Sequence, residues 1–296
     1  MTRPFTTFIG IDLGGSRGKS TALARLRWSR TPGEPVWVDE VAIRRGGADP
    51  WCDAVLVDYL RGLGGDAVVA IDAPLTAPAC QGCQIAACPG YDACEVPATV
   101  WLRTAGEELQ ARALEEDRDR IAVVSGRGSS GAAAPPPAAR RRLAPYTHRC
   151  AEVFLHYTRD LVPRESLSQG PGPVSARATH LRRVLAGCGF ELNRNLLEVS
   201  PRGTVHALFG PRLARGYKRD ADPWNTRARI IEELSATMRF APASRLSKEE
   251  VLRNDHCFEA LLAGYTAYLW ARDDWQIPPE AASFASHGFI WVPPAP

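Results

Sequence analysis

The chain has 296 residues, of which 45% are hydrophobic and 23% charged, enough apolar material to bury a sizeable core as one large domain or two small ones. A net charge of +3 neither demands nor excludes a nucleic-acid partner, because a local basic groove can sit within a balanced total. No apolar run approaches the roughly 20 residues of a membrane span and residues 1–8 lack the hydrophobic stretch of a signal peptide, so a cytoplasmic protein without a membrane partner is expected.

Residues 8–12, FIGID, form the first predicted strand, LGGSRG a tight turn, and KSTALARLRW (19–28) a returning strand with Ala22, Ala24, Leu26 and Trp28 on one face and Arg25 and Arg27 on the other. The letters Gly18-Lys19-Ser20 close like a phosphate-binding loop, but the spacing G-x-x-x-x-G-K-[ST] would need glycine at position 13, which is Leu13. Asp12, not Lys19, is therefore the residue to follow. VWVDEVAI (36–43) reads as a third strand. In DPWCDAVLVDYLRGL (49–63) the spacing of Val55, Leu56, Tyr59, Leu60 and Leu63 predicts a helix with one buried stripe, starting at Asp49-Pro50. DAVVAIDAP (66–74) is a continuous apolar run suited to a strand buried on both faces and ending at Asp72. A right-handed crossover through the helix would lay it parallel to the first strand. This order predicts an α/β, RNase H-like mixed sheet, antiparallel hairpin strands plus parallel strands, flanked by helices, with Asp12 and Asp72 on neighbouring strands.

Further along, NLLEVSP (195–201) is a short strand bearing Glu198, and RGTVHALFG (202–210) a helix. A long helix begins near Asp255, where Asp255 and Glu259, four apart, share a face. Its Ala260, Ala263, Gly264 and Ala267 suit close packing on a sheet, and GFIWVP (288–293) closes the chain as an edge strand. The whole, 1–296, is read as a single domain carrying a cysteine-rich insertion at 78–97 and a Pro/Ala/Gly-rich loop at 126–145.

Carboxylates gathered from several strands and one helix hold divalent hard cations that activate water and stabilise a leaving oxygen. Asp12, Asp72, Glu198, Asp255 and Glu259 are the candidates for Mg²⁺ or Mn²⁺. A carboxylate on a helix face such as Glu259 is as often solvated or salt-bridged, whereas an acid ending a buried strand must be paired, neutralised or bound to metal. The second constellation is Cys80-x2-Cys83-x4-Cys88-x5-Cys94, four thiols that in a reducing compartment signal metal rather than disulfides. Only one C-x2-C pair is present where zinc sites commonly use two, and Cys88-Pro89 resembles ferredoxin ligation, which favours a [4Fe–4S] cluster over zinc. Cys150 is an alternative fourth ligand; Cys52, Cys188 and Cys257 sit in helical patterns as core residues.

The segments GIDLGGSRG, VVAIDAPLTAP, HRCAEVFL, VSARATHLRRVL, LLEVSPRGTVHALFG, GYKR and NDHCFEALLAGYTAYLWA, in this order, resemble domain of unknown function 429, a family described as predicted RNase H-like nucleases related in fold to Holliday-junction resolvases. The resemblance implies site positions at Asp12, Asp72, Arg149, Glu152, Arg177, Glu198 and Lys218, with Arg149, Arg177 and Lys218 steadying a substrate phosphate. The family's paired-acid motif in the last helix ends in Asp-Ala, where this chain has Glu259-Ala260. The cysteine run resembles a trait of one branch. The expectation is thus a metal-dependent phosphodiesterase or nuclease acting on nucleic acid by two-metal hydrolysis. The alternatives are an ATP-dependent phosphotransferase of the actin and sugar-kinase group, weakened by the lack of a second DLGG-type hairpin, and a non-catalytic nucleic-acid or partner-binding module.

Overall fold

The computed structural model describes residues 2–15, 21–45, 49–113, 115, 143–159, 161 and 172–294. The hairpin turn with Lys19, and most of the 126–145 loop, lie outside them.

Two compact units share the chain: Met1–Thr76, Leu167–Ile277 and Gly288–Pro296 in the first, Ala77–Ser166 and Pro278–His287 in the second. Residues 78–97, which the sequence suggests as a cysteine-rich insertion in a single domain, lie in the second unit.

The first unit is built on strands β1 (Thr7–Asp12), β2 (Ala22–Arg27), β3 (Val36–Ala42), β6 (Ala67–Asp72), β7 (Leu196–Val199), β8 (Met238–Phe240) and β9 (Ile290–Trp291). They form one mixed sheet in the order β8-β3-β2-β1-β6-β7-β9. A two-residue ladder, β4 (Arg44–Arg45) with β5 (Asp49–Pro50), stands apart. β1, β2 and β3 are successively antiparallel, while β6 runs parallel to β1 and β7 parallel to β6. The fold is α/β with a mixed sheet, as the sequence predicted. β8 was missed: three residues carry no measurable periodicity.

α1 (Asp53–Arg61) starts at Asp53 rather than at Asp49-Pro50, which is held in the small ladder. With α4 (Gly172–Ala186) it covers one face of the sheet: Ile9, Ile11, Val69 and Ile71 pack there with Leu56, Leu60, Leu181 and Leu185. The helices α5 (Pro201–Arg219), α6 (Pro223–Glu233) and α7 (Arg245–Arg253) follow, and α8 (Asp255–Arg272) crosses the opposite face of β1, β2 and β6. α8 is buried from Cys257 to Ala271, as an all-round apolar helix must be. In the second unit α2 (Pro97–Trp101) and α3 (Cys150–Arg159) bring Trp101, Phe154 and Phe284 into a ring cluster with centroids 4.6–6.4 Å apart.

The height of α8 over the sheet is set by glycine. A Cβ on Gly10 would collide with the Ala260 carbonyl and the Gly264 backbone nitrogen, and one on Gly264 would lie 2.6 Å from Leu26 Cδ1. No flexible side chain can give way at Gly10, because the obstacles are backbone. Gly10→Ala should therefore destabilise the protein by about 3 kcal/mol or more, whereas Gly65→Ala, which has open space around it, should leave stability within about 0.5 kcal/mol. Denaturant midpoints of the two variants check this.

Candidate functional site

The β1–β6 register places Asp12 opposite Asp72, at the carboxyl ends of adjacent parallel strands. Adjacent strands lie about 4.8 Å apart, so the two carboxylates are neighbours. Phe8, Gly10 and Asp12 alternate onto the α8 face, since Phe8 meets Tyr268 edge-on and Gly10 meets Gly264. The start of α8 delivers the remaining groups. Asn254 caps it by accepting a hydrogen bond from the His256 amide at 2.9 Å, which fixes the phase of the first turns. His256 and Glu259, three apart, then face the strand ends together.

His256 Nδ1 lies 2.5 Å from Asp12 Oδ2. One ligand atom each from Asp12, His256 and Glu259 lie within 4.8 Å of one another. Glu259 is almost completely buried: Tyr217 donates its hydroxyl to Oε1 at 2.8 Å and Lys218 Nζ lies 2.6 Å from Oε2. These two neighbours on α5 explain the GYKR segment. Lys218 is also 3.9 Å from Asp255, which sits at the more exposed rim.

The electrostatics follow from this crowding. Burial pushes the Glu259 carboxyl above the usual range, Lys218 opposes that, and Asp12 adds to it. Burial alone would lower the Lys218 pKa, but Glu259, then Asp72 and Asp255, raise it, so the ammonium stays charged. The hydrogen bond to Asp12 raises His256 against the opposing effect of burial. Buried Arg227 of α6 also feels Asp255 and Glu259, though burial lowers its pKa. Asp12, Asp72, Asp255 and Glu259 thus gather four carboxylates around Lys218, His256 and Arg227. Carboxylates with one imidazole suit Mn²⁺ or Mg²⁺, the imidazole tilting the preference toward Mn²⁺.

Other expected site residues are engaged with partners of their own. Glu198 is paired with Ile71, which places its side chain on the face away from Asp12 and Asp72; its Oε2 accepts the Leu75 amide at 2.9 Å. Arg177 braces the first hairpin, donating to the Gly14 carbonyl and Thr21 hydroxyl at 2.7 Å, to the Trp51 carbonyl at 3.0 Å and to Asp53 at 2.7 Å. These bonds commit its guanidinium to the protein instead of a phosphate. Arg149 and Glu152 belong to the second unit, buried together at 3.0 Å. His256 was not anticipated; its spacing of three from Glu259 was the available signal.

The fold and site define an α/β protein with a carboxylate–imidazole cluster at the ends of two parallel strands. The chain belongs to the family described as a protein of unknown function (DUF429), whose match spans residues 10–283. No curated protein and no solved structure matches it.

A proton on His256 competes with a cation. Because Asp12 raises the imidazole above its ordinary value of about 6.5, Mn²⁺ affinity should climb as pH rises through and beyond that value, and His256→Gln should flatten the climb. In the metal-free protein the same pair stabilises fully below about 6.5 and loses its contribution as pH rises through the raised folded value. Calorimetric Mn²⁺ titrations and unfolding curves from pH 5.5 to about 8.5 check both signs.

Proposed function

We propose that the chain is a divalent-metal-dependent phosphodiesterase of RNase H-like fold, acting on nucleic acid. The observation that carries this reading is the convergence of Asp12, His256 and Glu259, with Asp72 beside Asp12. Support for the fold comes from three antiparallel strands followed by two parallel ones, in the order β3-β2-β1-β6-β7, with a helix across the face that bears Asp12.

Asp12, His256 and Glu259 would hold one ion, and Asp72 and Asp255 supply the further carboxylates that a second requires. The bound metal would contribute Lewis-acid stabilisation of phosphoryl oxygens and a lowered pKa for the attacking water. The protein's own groups do the rest. Tyr217 and Lys218 fix both Glu259 oxygens, so the ligand does not reorganise during the reaction. Lys218, partly exposed at the rim, can meet a phosphate oxygen with its remaining donors. His256 can hold and release a proton beside Asp12.

Among the described residues no helix is long and apolar enough to cross a membrane. A cytoplasmic setting is part of the proposal, supported by eight cysteines none of which is held in a disulfide.

Asp12→Asn and Glu259→Gln remove charge with little change in volume. Each should lower Mn²⁺-dependent cleavage of single-stranded, duplex and branched oligonucleotides at least about 100-fold, with the fold retained by circular dichroism. Wild-type turnover in both variants would defeat the reading.

A further inference from the structure

The second unit carries chemistry that the carboxylate site does not use. From Cys80 to Gly90 every residue is exposed, so this stretch has no core of its own. Fixing a backbone costs about 1–2 kcal/mol per residue, and eleven exposed residues bury little to offset that. The stretch is nevertheless anchored at both ends. The Cys80 amide donates to the Pro145 carbonyl at 3.1 Å, and Arg103 donates to the carbonyls of Tyr91 and Cys94, the latter at 3.1 Å. Cys94 is buried at the foot of the segment, while Cys80, Cys83 and Cys88 are exposed.

Three exposed thiols in one short run are an oxidation hazard unless something ligates them. All four thiols sit on one short run whose two ends are fixed, Cys80 at one and Cys94 at the other. Cys150 is turned away. Its Sγ donates to the Ala98 carbonyl at 3.1 Å, and burial pushes its pKa up to about 12, which disfavours the thiolate a metal needs. Cys52, Cys188 and Cys257 belong to the first unit.

We propose that Cys80, Cys83, Cys88 and Cys94 ligate a [4Fe–4S] cluster that ties residues 80–94 together. The spacing of these cysteines along the chain favours iron–sulfur over zinc. A tetrahedral zinc with bonds of about 2.3 Å holds its sulfurs about 3.8 Å apart. Among the described residues the only set of three or more ligating atoms all within 4.8 Å of one another is Asp12, His256 and Glu259. No three of the four sulfurs thus stand as close as a single zinc ion requires, and the run, with one C-x2-C pair and Cys88 followed by Pro89, is spaced as for a cluster in which each thiolate serves a different iron.

The test is metal analysis of the full chain purified without oxygen. About four irons and four acid-labile sulfides per chain are expected, with absorbance in the visible that dithionite bleaches. Cys83→Ser and Cys94→Ser should lose most of the iron and make residues 80–94 sensitive to limited proteolysis, whereas Cys150→Ala and Cys188→Ser should keep both iron and resistance. Stoichiometric zinc without sulfide, a metal-free chain whose thiols all react with a maleimide, disulfides among these four, or iron lost on Cys150→Ala but kept on Cys94→Ser would each overturn the assignment. Asp12→Asn should leave iron content unchanged, so failure of the carboxylate reading and failure of this one are separable.

Discussion

Backbone-to-backbone contact between Gly10 of β1 and Gly264 of α8 governs the geometry of the first unit. Gly10 tolerates no side chain, because a Cβ there meets the Ala260 carbonyl and the Gly264 backbone nitrogen, while one on Gly264 meets the tip of the Leu26 side chain, which would have to shift. A helix seated this low cannot slide or roll without a backbone collision. Asp12 lies two residues beyond Gly10 on the same face, about 7 Å along the strand, and Glu259 lies five residues before Gly264, about 7.5 Å along the helix. The glycine contact therefore fixes the carboxylates relative to each other from one side of the site.

Pinning alone would leave Glu259 as a buried charge close to Asp12, an arrangement that costs several kcal/mol unless it is compensated. Compensation comes from α5, where consecutive residues Tyr217 and Lys218 take one carboxylate oxygen each. On the strand side, His256 shields Asp12. One ammonium and one imidazole beside four carboxylates leave the cluster short of positive charge even with Arg227 nearby, and the shortage rises as His256 loses its proton. A divalent cation would supply that charge, which would link the folding electrostatics directly to the proposed chemistry.

Much of this was legible in the sequence, and the failures have physical causes. Asp12 and Asp72 could be placed together because a hairpin, a strand, a helix and a buried strand admit few right-handed topologies. Glu198 could not be assigned a face, because a strand buried on both sides has no alternation to show which way a residue points; only its pairing with Ile71 reveals it. His256 was passed over in favour of Asp255 because the facing of a helix's first turn depends on its cap, and Asn254 turns His256, with Glu259, toward the strand ends. Arg177 had the composition of a phosphate binder, yet its role depends on Gly14, Trp51, Thr21 and Asp53, partners more than 120 residues away.

The two candidate metal sites also differ in a way that keeps their chemistry apart. The first unit offers carboxylate oxygens and one imidazole, donors matched to Mn²⁺ and Mg²⁺, while the second offers thiols alone. Sulfur close to the carboxylates would have invited softer metals that outcompete Mg²⁺ and Mn²⁺ in the usual order of divalent affinities. The cysteine of α8, Cys257, lies next to His256 in sequence, but burial pushes its pKa up to about 12. It stays a protonated core thiol and withholds the soft ligand that would otherwise compromise the preference for hard cations proposed for the site.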